Sequence, residues 1–259
     1  MCELMGLSFD EPVAAKFLIH EFAARDVENA DGWGLAWYPD NSLALVKEAL
    51  TWRKSDYSQF LEGYQRLKAR IYLAHVRHKS TSGEPTHADT HPFARELVGR
   101  DYCFAHNGTL LQYQELPLNR FWPIGGTDSE RIFCHLLDAI VGEARSLDTE
   151  SDWRWLHEKL ADLNRQGTIN CLLSDGRRLI GYRDVTGWKG LVMRKIRFHA
   201  QEQRHFEDAT MEIAVEGDAT NHGCVLATRP LSDTGWHELK LGEMVVLEGG
   251  RLQFSSHAN

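Results

Sequence analysis

The order of strand-like and helix-like segments is the feature that most constrains the fold of this 259-residue chain. Strand patterns dominate both ends, and helical patterns interrupt them. No strand–helix–strand alternation runs through the sequence, and no Gly-rich phosphate-binding pattern follows a strand. We therefore expect an α+β fold in which antiparallel sheets bury one face against helices. The predicted strands cover 32–38, 43–48, 71–76, 102–105, 169–173, 178–183, 190–197, 211–215, 224–228 and 244–248, and the predicted helices 13–24, 56–68, 127–144 and 152–165.

Composition and charge exclude several classes of protein. Apolar residues make up 42% and charged residues 25% of the chain, which is typical of a globular protein, and no linker-like stretch divides it. We expect a single domain over residues 1–259. The net charge of −8 disfavours binding to nucleic acid or to an anionic membrane surface. Since neither a signal peptide nor a membrane-spanning segment is evident, we expect a cytoplasmic protein.

Cys2 is the first candidate for chemistry. It becomes the N-terminal residue if Met1 is removed, and its thiol then lies beside its own α-amine. The pKa of such an amine is near 8, so the amine can act as a general base for the thiol. The other four cysteines lie in apolar stretches and are expected to be small buried side chains: Cys103, Cys134, Cys171 and Cys224. Position alone favours the simpler reading of Cys2 as the second residue of an apolar start.

Three other motifs offer groups that suit acyl transfer, although each also has a common structural explanation. Asn107 and Gly108 can supply an amide and an unhindered N–H to an oxyanion, or can form an Asn-Gly turn. Arg77 ends a predicted strand and can bind a carboxylate, or form a surface ion pair. Asp128 can accept a hydrogen bond from a substrate ammonium, or simply favour the start of a helix that Thr127 caps.

Taken together, these motifs resemble the class II glutamine amidotransferases, a branch of the N-terminal nucleophile (Ntn) hydrolases. The order of the matching segments is that of the family, and the resemblance extends from Cys2 to about residue 255. The matches are Cys2, the segment 31–38 (DGWGLAWY), Arg77, the segment 90–93 (THPF), the segment 106–108 (HNG) and the segment 127–130 (TDSE). The start MCEL and the later segment 172–177 (LLSDGR) are similar to those of stand-alone bacterial members.

The resemblance implies a four-layer αββα sandwich of two antiparallel sheets, without a cofactor. It implies that Cys2 attacks the side-chain amide of glutamine, that Asn107 and Gly108 stabilise the oxyanion, and that a thioester is then hydrolysed to glutamate. The implied substrate-binding residues are Arg77, Asp128, Thr81, Gly83 and His91. Because Gly83 lies six positions after Arg77, one more than is common in the family, Ser80 and Ser82 remain alternatives to Thr81.

Several alternatives stay open at this point. The substrate could be another γ-glutamyl amide or peptide, or the chain could be a glutamine-binding regulatory module without turnover. A separate synthase could accept the ammonia, and a homodimer is possible. A metal enzyme is a less favoured reading of the histidines between positions 75 and 106, because His75 and His78 point to opposite faces of a strand.

Overall fold

The computed structural model describes residues 2–18, 30–64, 67–78, 84–198, 204–208, 211–216, 221–231 and 234–257. Three helices occur in these ranges, α1 (Asp56–Gly63), α2 (Asp128–Gly142) and α3 (Glu150–Asn164). The strands are β1 (Glu3–Leu18), β2 (Ala30–Trp37), β3 (Ala44–Glu48), β4 (Lys68–His78), β5 (Phe93–Leu97), β6 (Arg100–Leu110), β7 (Gly167–Ser174), β8 (Arg178–Tyr182), β9 (Val192–Phe198), β10 (Arg204–Asp208), β11 (Met211–Glu216), β12 (Asn221–Ala227), β13 (His237–Glu238), β14 (Met244–Glu248) and β15 (Arg251–Ser255).

The strands of the described residues form two antiparallel sheets. The larger sheet has the order β13-β9-β12-β1-β4-β2-β3, with β11 also pairing with β1 and β10 with β11. The smaller sheet has the order β15-β14-β8-β7-β6-β5. The predicted α+β fold with two antiparallel sheets is confirmed.

Apolar side chains separate the layers. One buried cluster fills the space between the two sheets, with Leu4 and Leu73 from the larger sheet and Ala105 from the smaller one. A second cluster joins the outer face of the smaller sheet to α2 and α3. A third lies on the outer face of the larger sheet, where Trp52, and Leu61 of α1, pack against the strands. Among the described residues, two helices of 15 residues cover the smaller sheet and one of 8 residues covers the larger sheet.

The predicted helix over 13–24 is wrong for its first part. Residues 13–18 belong to β1, where Val13 and Ala14 pair with β4 and residues 14–18 pair with β11. Tertiary pairing with two strands decides the conformation here, because local helical spacing contributes little compared with it. Residues 19–24 lie outside the described residues.

Two further features of the fold bear on the sequence predictions. Cys103, Cys134, Cys171 and Cys224 are buried and free, as predicted, and Cys2 is half-buried. None of the helices within the described ranges is both long and apolar enough to cross a lipid bilayer.

Candidate active site

Adjacent strands of the larger sheet bring Cys2 next to Arg77. In the pairing of β1 with β4, Glu3 lies opposite Val76 and Leu4 opposite His75, so the same register places Cys2 beside Arg77. Leu4 and Leu73 face the smaller sheet. Because side chains alternate along a strand, Cys2 and Arg77 are directed to that same inner face.

Asn107 approaches Cys2 from the other sheet. Its Nδ2 donates a hydrogen bond of 2.7 Å to the backbone carbonyl of Cys2. Asn107 is 2% exposed and lies on β6 two residues after Ala105, which faces the inner space. The contact joins the two sheets at one end of the sandwich, and it places a carboxamide beside the residue with the candidate nucleophile.

Arg77 is a buried cation in this region. It is 9% exposed, and its Nη1 is buried without a hydrogen bond to any described residue. A guanidinium in such a place strongly favours an anionic partner, because the buried charge is otherwise poorly compensated. The carboxylate of Asp89 is close enough to interact electrostatically with it. Burial alone would raise the pKa of Asp89, but hydrogen bonds from Thr86 and Gly126 and the charge of Arg77 lower it.

The turn before β5 packs closely on β2. A Cβ at Gly34 would lie well inside 3.0 Å of the His91 carbonyl oxygen, so the absence of a side chain permits this approach. The backbone carbonyl of Thr90 also accepts a hydrogen bond of 2.7 Å from the Nζ of Lys47. The 90–92 turn is therefore held against the strand that lies beside Arg77.

His91 is buried against His75, which lies two residues before Arg77 on β4. Its ring is 5% exposed and lies 4.1 Å from the His75 ring and 4.6 Å from the Phe93 ring, centroid to centroid. Burial is the largest reason that the pKa of His91 lies well below its usual value, and electrostatic interactions with His75, His106 and Arg77 add to the effect. The imidazole is therefore neutral at pH 7.

Gly108 lies within β6, at a point of close contact with β7. The predicted strand ends at residue 105, but β6 continues to Leu110, so the segment 106–108 is strand and not a turn. A Cβ at Gly108 would lie well inside 3.0 Å of both the Thr168 carbonyl oxygen and the His106 ring. Only glycine fits this position without a shift of the two strands.

Asp128 begins α2 and is attached to the same strand. The Thr127 side chain caps the helix by accepting a hydrogen bond from the Glu130 backbone N–H, as predicted. The two oxygens of Asp128 accept hydrogen bonds from the Leu110 N–H at 2.7 Å and the Ser129 N–H at 2.8 Å. Leu110 lies three residues after Asn107, which is about 10 Å along a strand.

Carboxylates of α2 also hold the loop that precedes this helix. The buried Glu130 accepts hydrogen bonds from the backbone N–H groups of Ile124 and Gly125 and pairs with Arg95 at 2.6 Å. Asp138 accepts three more from the backbone at 119–121. Neither role is evident from the sequence, because an acidic residue on a helix usually faces solvent.

The structure describes only some of the remaining residues that the sequence analysis singles out. Thr81 and Gly83, and the alternatives Ser80 and Ser82, lie outside the described residues. Within the described ranges, no group of three or more His, Cys, Asp or Glu side chains is arranged to hold a metal ion. Nothing in the sequence indicates that His106 contacts Ser129, next to Asp128, with Nδ1 and Oγ 2.9 Å apart.

Comparison with known protein families decides the relationship. The model of the class II glutamine amidotransferases matches residues 1–259. The chain belongs to this family. Class II glutamine amidotransferases use an N-terminal cysteine as nucleophile, and Cys2 occupies that place here.

Individual relatives agree with this assignment. An uncharacterized protein of Methanocaldococcus jannaschii is 33% identical over 258 residues, which cover 99% of this chain and 72% of that protein. YafJ of Escherichia coli, named as a candidate glutamine amidotransferase, is 29% identical over 250 residues, covering 94% of this chain and 96% of YafJ.

Solved structures show the same fold. A structure from Pseudomonas aeruginosa, described as a predicted glutamine amidotransferase, superposes with a TM-score of 0.76 at 26% identity and covers 97% of this chain and 99% of its own. The glutamine phosphoribosylpyrophosphate amidotransferase of Bacillus subtilis has a TM-score of 0.63 at 16% identity. The match covers 98% of this class II glutamine amidotransferase chain and 48% of the Bacillus subtilis protein, which is longer.

Proposed function

We propose that this class II glutamine amidotransferase hydrolyses the side-chain amide of glutamine to glutamate and ammonia through a thioester on Cys2. The observation that carries the proposal is the meeting of three groups at one end of the sandwich. The Asn107 carboxamide is hydrogen-bonded to the Cys2 carbonyl, and Arg77 is the neighbour of Cys2 in the strand register. A nucleophile, an oxyanion donor and a carboxylate-binding group thus share one region.

The proposed reaction assigns one task to each group. Once Met1 is removed, the α-amine of Cys2 takes the thiol proton, and the thiolate attacks the amide carbon. The Asn107 Nδ2 and the Gly108 N–H stabilise the oxyanion. The C–N bond then breaks, ammonia leaves with a proton from the Cys2 ammonium, and water cleaves the thioester to release glutamate.

The two charged groups on the α-carbon of glutamine match two groups of opposite charge. Arg77, buried with Nη1 available, binds the α-carboxylate, and Asp128 accepts the α-ammonium. Each Asp128 oxygen already accepts one backbone N–H, and Oδ2, which accepts only from Leu110, keeps a lone pair for the substrate. His91 supports the pocket behind Arg77, and Thr81 and Gly83 complete the substrate contacts. Fixing both substituents of the α-carbon directs the side-chain amide, at the other end of the substrate, to the nucleophile.

The nucleophile is tested by glutamate release from glutamine by the wild-type protein and by Cys2→Ala. We expect the wild type with Met1 removed to release glutamate, and Cys2→Ala to lose this activity while its thermal unfolding is unchanged. Cys103→Ala is a matched control, because that thiol is buried and burial raises its pKa well above the ordinary range. Activity retained by Cys2→Ala would refute the assigned nucleophile.

The substrate and the role of Asp128 need separate measurements. Glutamine and a series of γ-glutamyl amides are compared by kcat/KM, and a preference for the conjugates would replace glutamine as the substrate. Asp128→Asn is expected to raise KM more than it lowers kcat, because the carboxylate is assigned to binding. A fall in kcat with an unchanged KM would contradict that assignment.

A further inference from the structure

His106 lies between the two halves of the proposed site. It belongs to β6 and is 2% exposed. Asn107, the next residue, faces the space between the sheets, so His106 faces the helical layer, where its ring lies 6.3 Å from the Phe104 ring. None of the roles assigned above uses this imidazole.

Both ring nitrogens of His106 have polar partners. Nε2 lies 3.2 Å from the Thr168 backbone carbonyl, and Nδ1 lies 2.9 Å from the Ser129 Oγ. A carbonyl oxygen only accepts, so Nε2 must carry the proton. In the neutral ring Nδ1 is then an acceptor, and the Ser129 hydroxyl donates to it at 2.9 Å in preference to the Asp128 Oδ1, which lies 3.4 Å away. Burial lowers the pKa of His106, and the charge of Asp128 and the hydrogen bond to Thr168 only partly offset this, which favours the neutral form.

These hydrogen bonds give the first turn of α2 a second attachment to β6. Asp128 is joined to the Leu110 N–H, and Ser129 is joined to His106, four residues earlier on the same strand. A single attachment would allow the turn to pivot around one hydrogen bond. Two attachments at separate points along β6 fix the direction of the Asp128 carboxylate relative to the strand.

We propose that His106 is a positioning residue, which sets the spacing between the oxyanion donors Asn107 and Gly108 and the ammonium acceptor Asp128 by holding Ser129. The inference rests on the proposed function, since it concerns the distance between the groups that bind the amide and the α-ammonium of the substrate. The ring also lies against Gly108, where a Cβ would collide with it, so one side chain contacts both halves of the site. His106 thereby selects ligands with an α-ammonium at the right distance from the amide.

The test compares ligands with and without the ammonium. Calorimetric Kd values are measured for L-glutamate and for glutarate, which has the same two carboxylates and no ammonium. In His106→Gln the side-chain amide can still reach the Thr168 carbonyl but no longer accepts from Ser129. We expect glutamate affinity to fall about tenfold, as for loss of one buried hydrogen bond, with glutarate affinity changed by less than about twofold.

Further variants separate positioning from general damage. Ser129→Ala should show the same selective loss, and the double variant should add little to it, because the two substitutions break one interaction. His106→Asn places an acceptor near the position of Nδ1 and should recover most of the loss. His157→Gln replaces a half-buried histidine outside the proposed site, whose ring contacts the Gly242 carbonyl, and should leave both affinities unchanged.

The outcomes decide the inference independently of turnover. An equal loss of glutamate and glutarate affinity in His106→Gln, or no loss of either, would overturn the positioning role. If the wild type binds glutamate but releases none from glutamine, the proposed hydrolysis is refuted, and the ligand selectivity still decides the role of His106. KM for glutamine should follow the Kd values when turnover is present.

Discussion

Gly108→Ala probes the close contact between β6 and β7 that supports the proposed oxyanion strand. A Cβ at this position would lie well inside 3.0 Å of the Thr168 carbonyl oxygen, which is backbone and cannot move aside by a rotamer change. The two strands must separate locally around the pair Gly108 and Ile169. Overpacking of this kind costs about 1–3 kcal/mol, and weakening two strand hydrogen bonds adds about 1 kcal/mol each.

The expected loss in the free energy of unfolding is therefore about 3–5 kcal/mol, or a fall in Tm of about 10 °C for a chain of this size. Calorimetry and urea unfolding measure it directly. Glutamate release should fall on the order of 100-fold, because the shift moves Asn107 relative to Cys2 and disturbs an oxyanion donor.

Gly142→Ala is the matched control for this substitution. Gly142 ends α2 and has open space where a Cβ would be, so alanine should stabilise the protein by about 0.5–1 kcal/mol through the unfolded state. The two substitutions should thus have opposite signs. A shift of 2 °C in Tm corresponds to a change in unfolding free energy of about 1 kcal/mol or less. A Tm for Gly108→Ala within 2 °C of the wild type would therefore refute the described contact between the strands.

Three further predictions follow from the site and its support. Arg77→Lys should raise KM for glutamine about 10–100-fold with little change in kcat, because an ammonium cannot bind a carboxylate in the two-pronged way; steady-state kinetics would contradict this by showing a loss confined to kcat. The depressed pKa of His91 means that below about pH 6.5 the unfolded chain binds a proton that the folded chain does not, so stability falls on acidification by up to about 1.4 kcal/mol per pH unit from this group. His91→Phe should flatten the slope of unfolding free energy between pH 7 and 5, and an unchanged slope would count against the buried neutral ring. Thr127→Ala should cost about 1 kcal/mol in urea unfolding through loss of the cap on the Glu130 N–H, and no cost would show that the cap is unimportant.

Local signals predicted the elements whose conformation depends on neighbours in sequence. The start of α2 follows from Thr127 and the acidic residues after it, and the observed cap uses Thr127 as expected. Thr127 and Glu130 have the spacing of a capping box, but the Glu130 carboxylate binds Arg95 and the backbone at 124–125. Whether a side chain hydrogen-bonds to a neighbour in sequence or to a distant residue depends on tertiary packing. The spacing of residues along the chain does not predict this packing.

Pairing between distant strands explains the two clearest departures from the sequence prediction. Residues 13–18 extend β1 because β4 and β11 offer backbone partners. The Asn-Gly pair at 107–108 continues β6 because β7 pairs with it, although the dipeptide alone favours a turn. Glycine is needed there for close approach between strands, a requirement that involves Thr168, sixty residues away in sequence.

The residues of the site could be predicted from the sequence, but the contacts between them could not. The sequence indicated Cys2, Arg77, Asn107 and Asp128 as reactive or charged groups in a suggestive order. The register that makes Cys2 a neighbour of Arg77 and the bridge from His106 to Ser129 required the folded chain. Such cross-element contacts leave no periodic signal, since each involves single residues from separate segments.

The hydrogen bond between the Asn107 carboxamide and the Cys2 carbonyl has a practical consequence for recombinant production. Cys2 is held at one end of the sandwich by this bond, so a purification tag or leftover protease scar fused ahead of it would lie beside the proposed site and would block the Cys2 amine. Expression designs should place affinity handles after residue 259 and should check methionine removal by intact mass before any preparation is judged inactive.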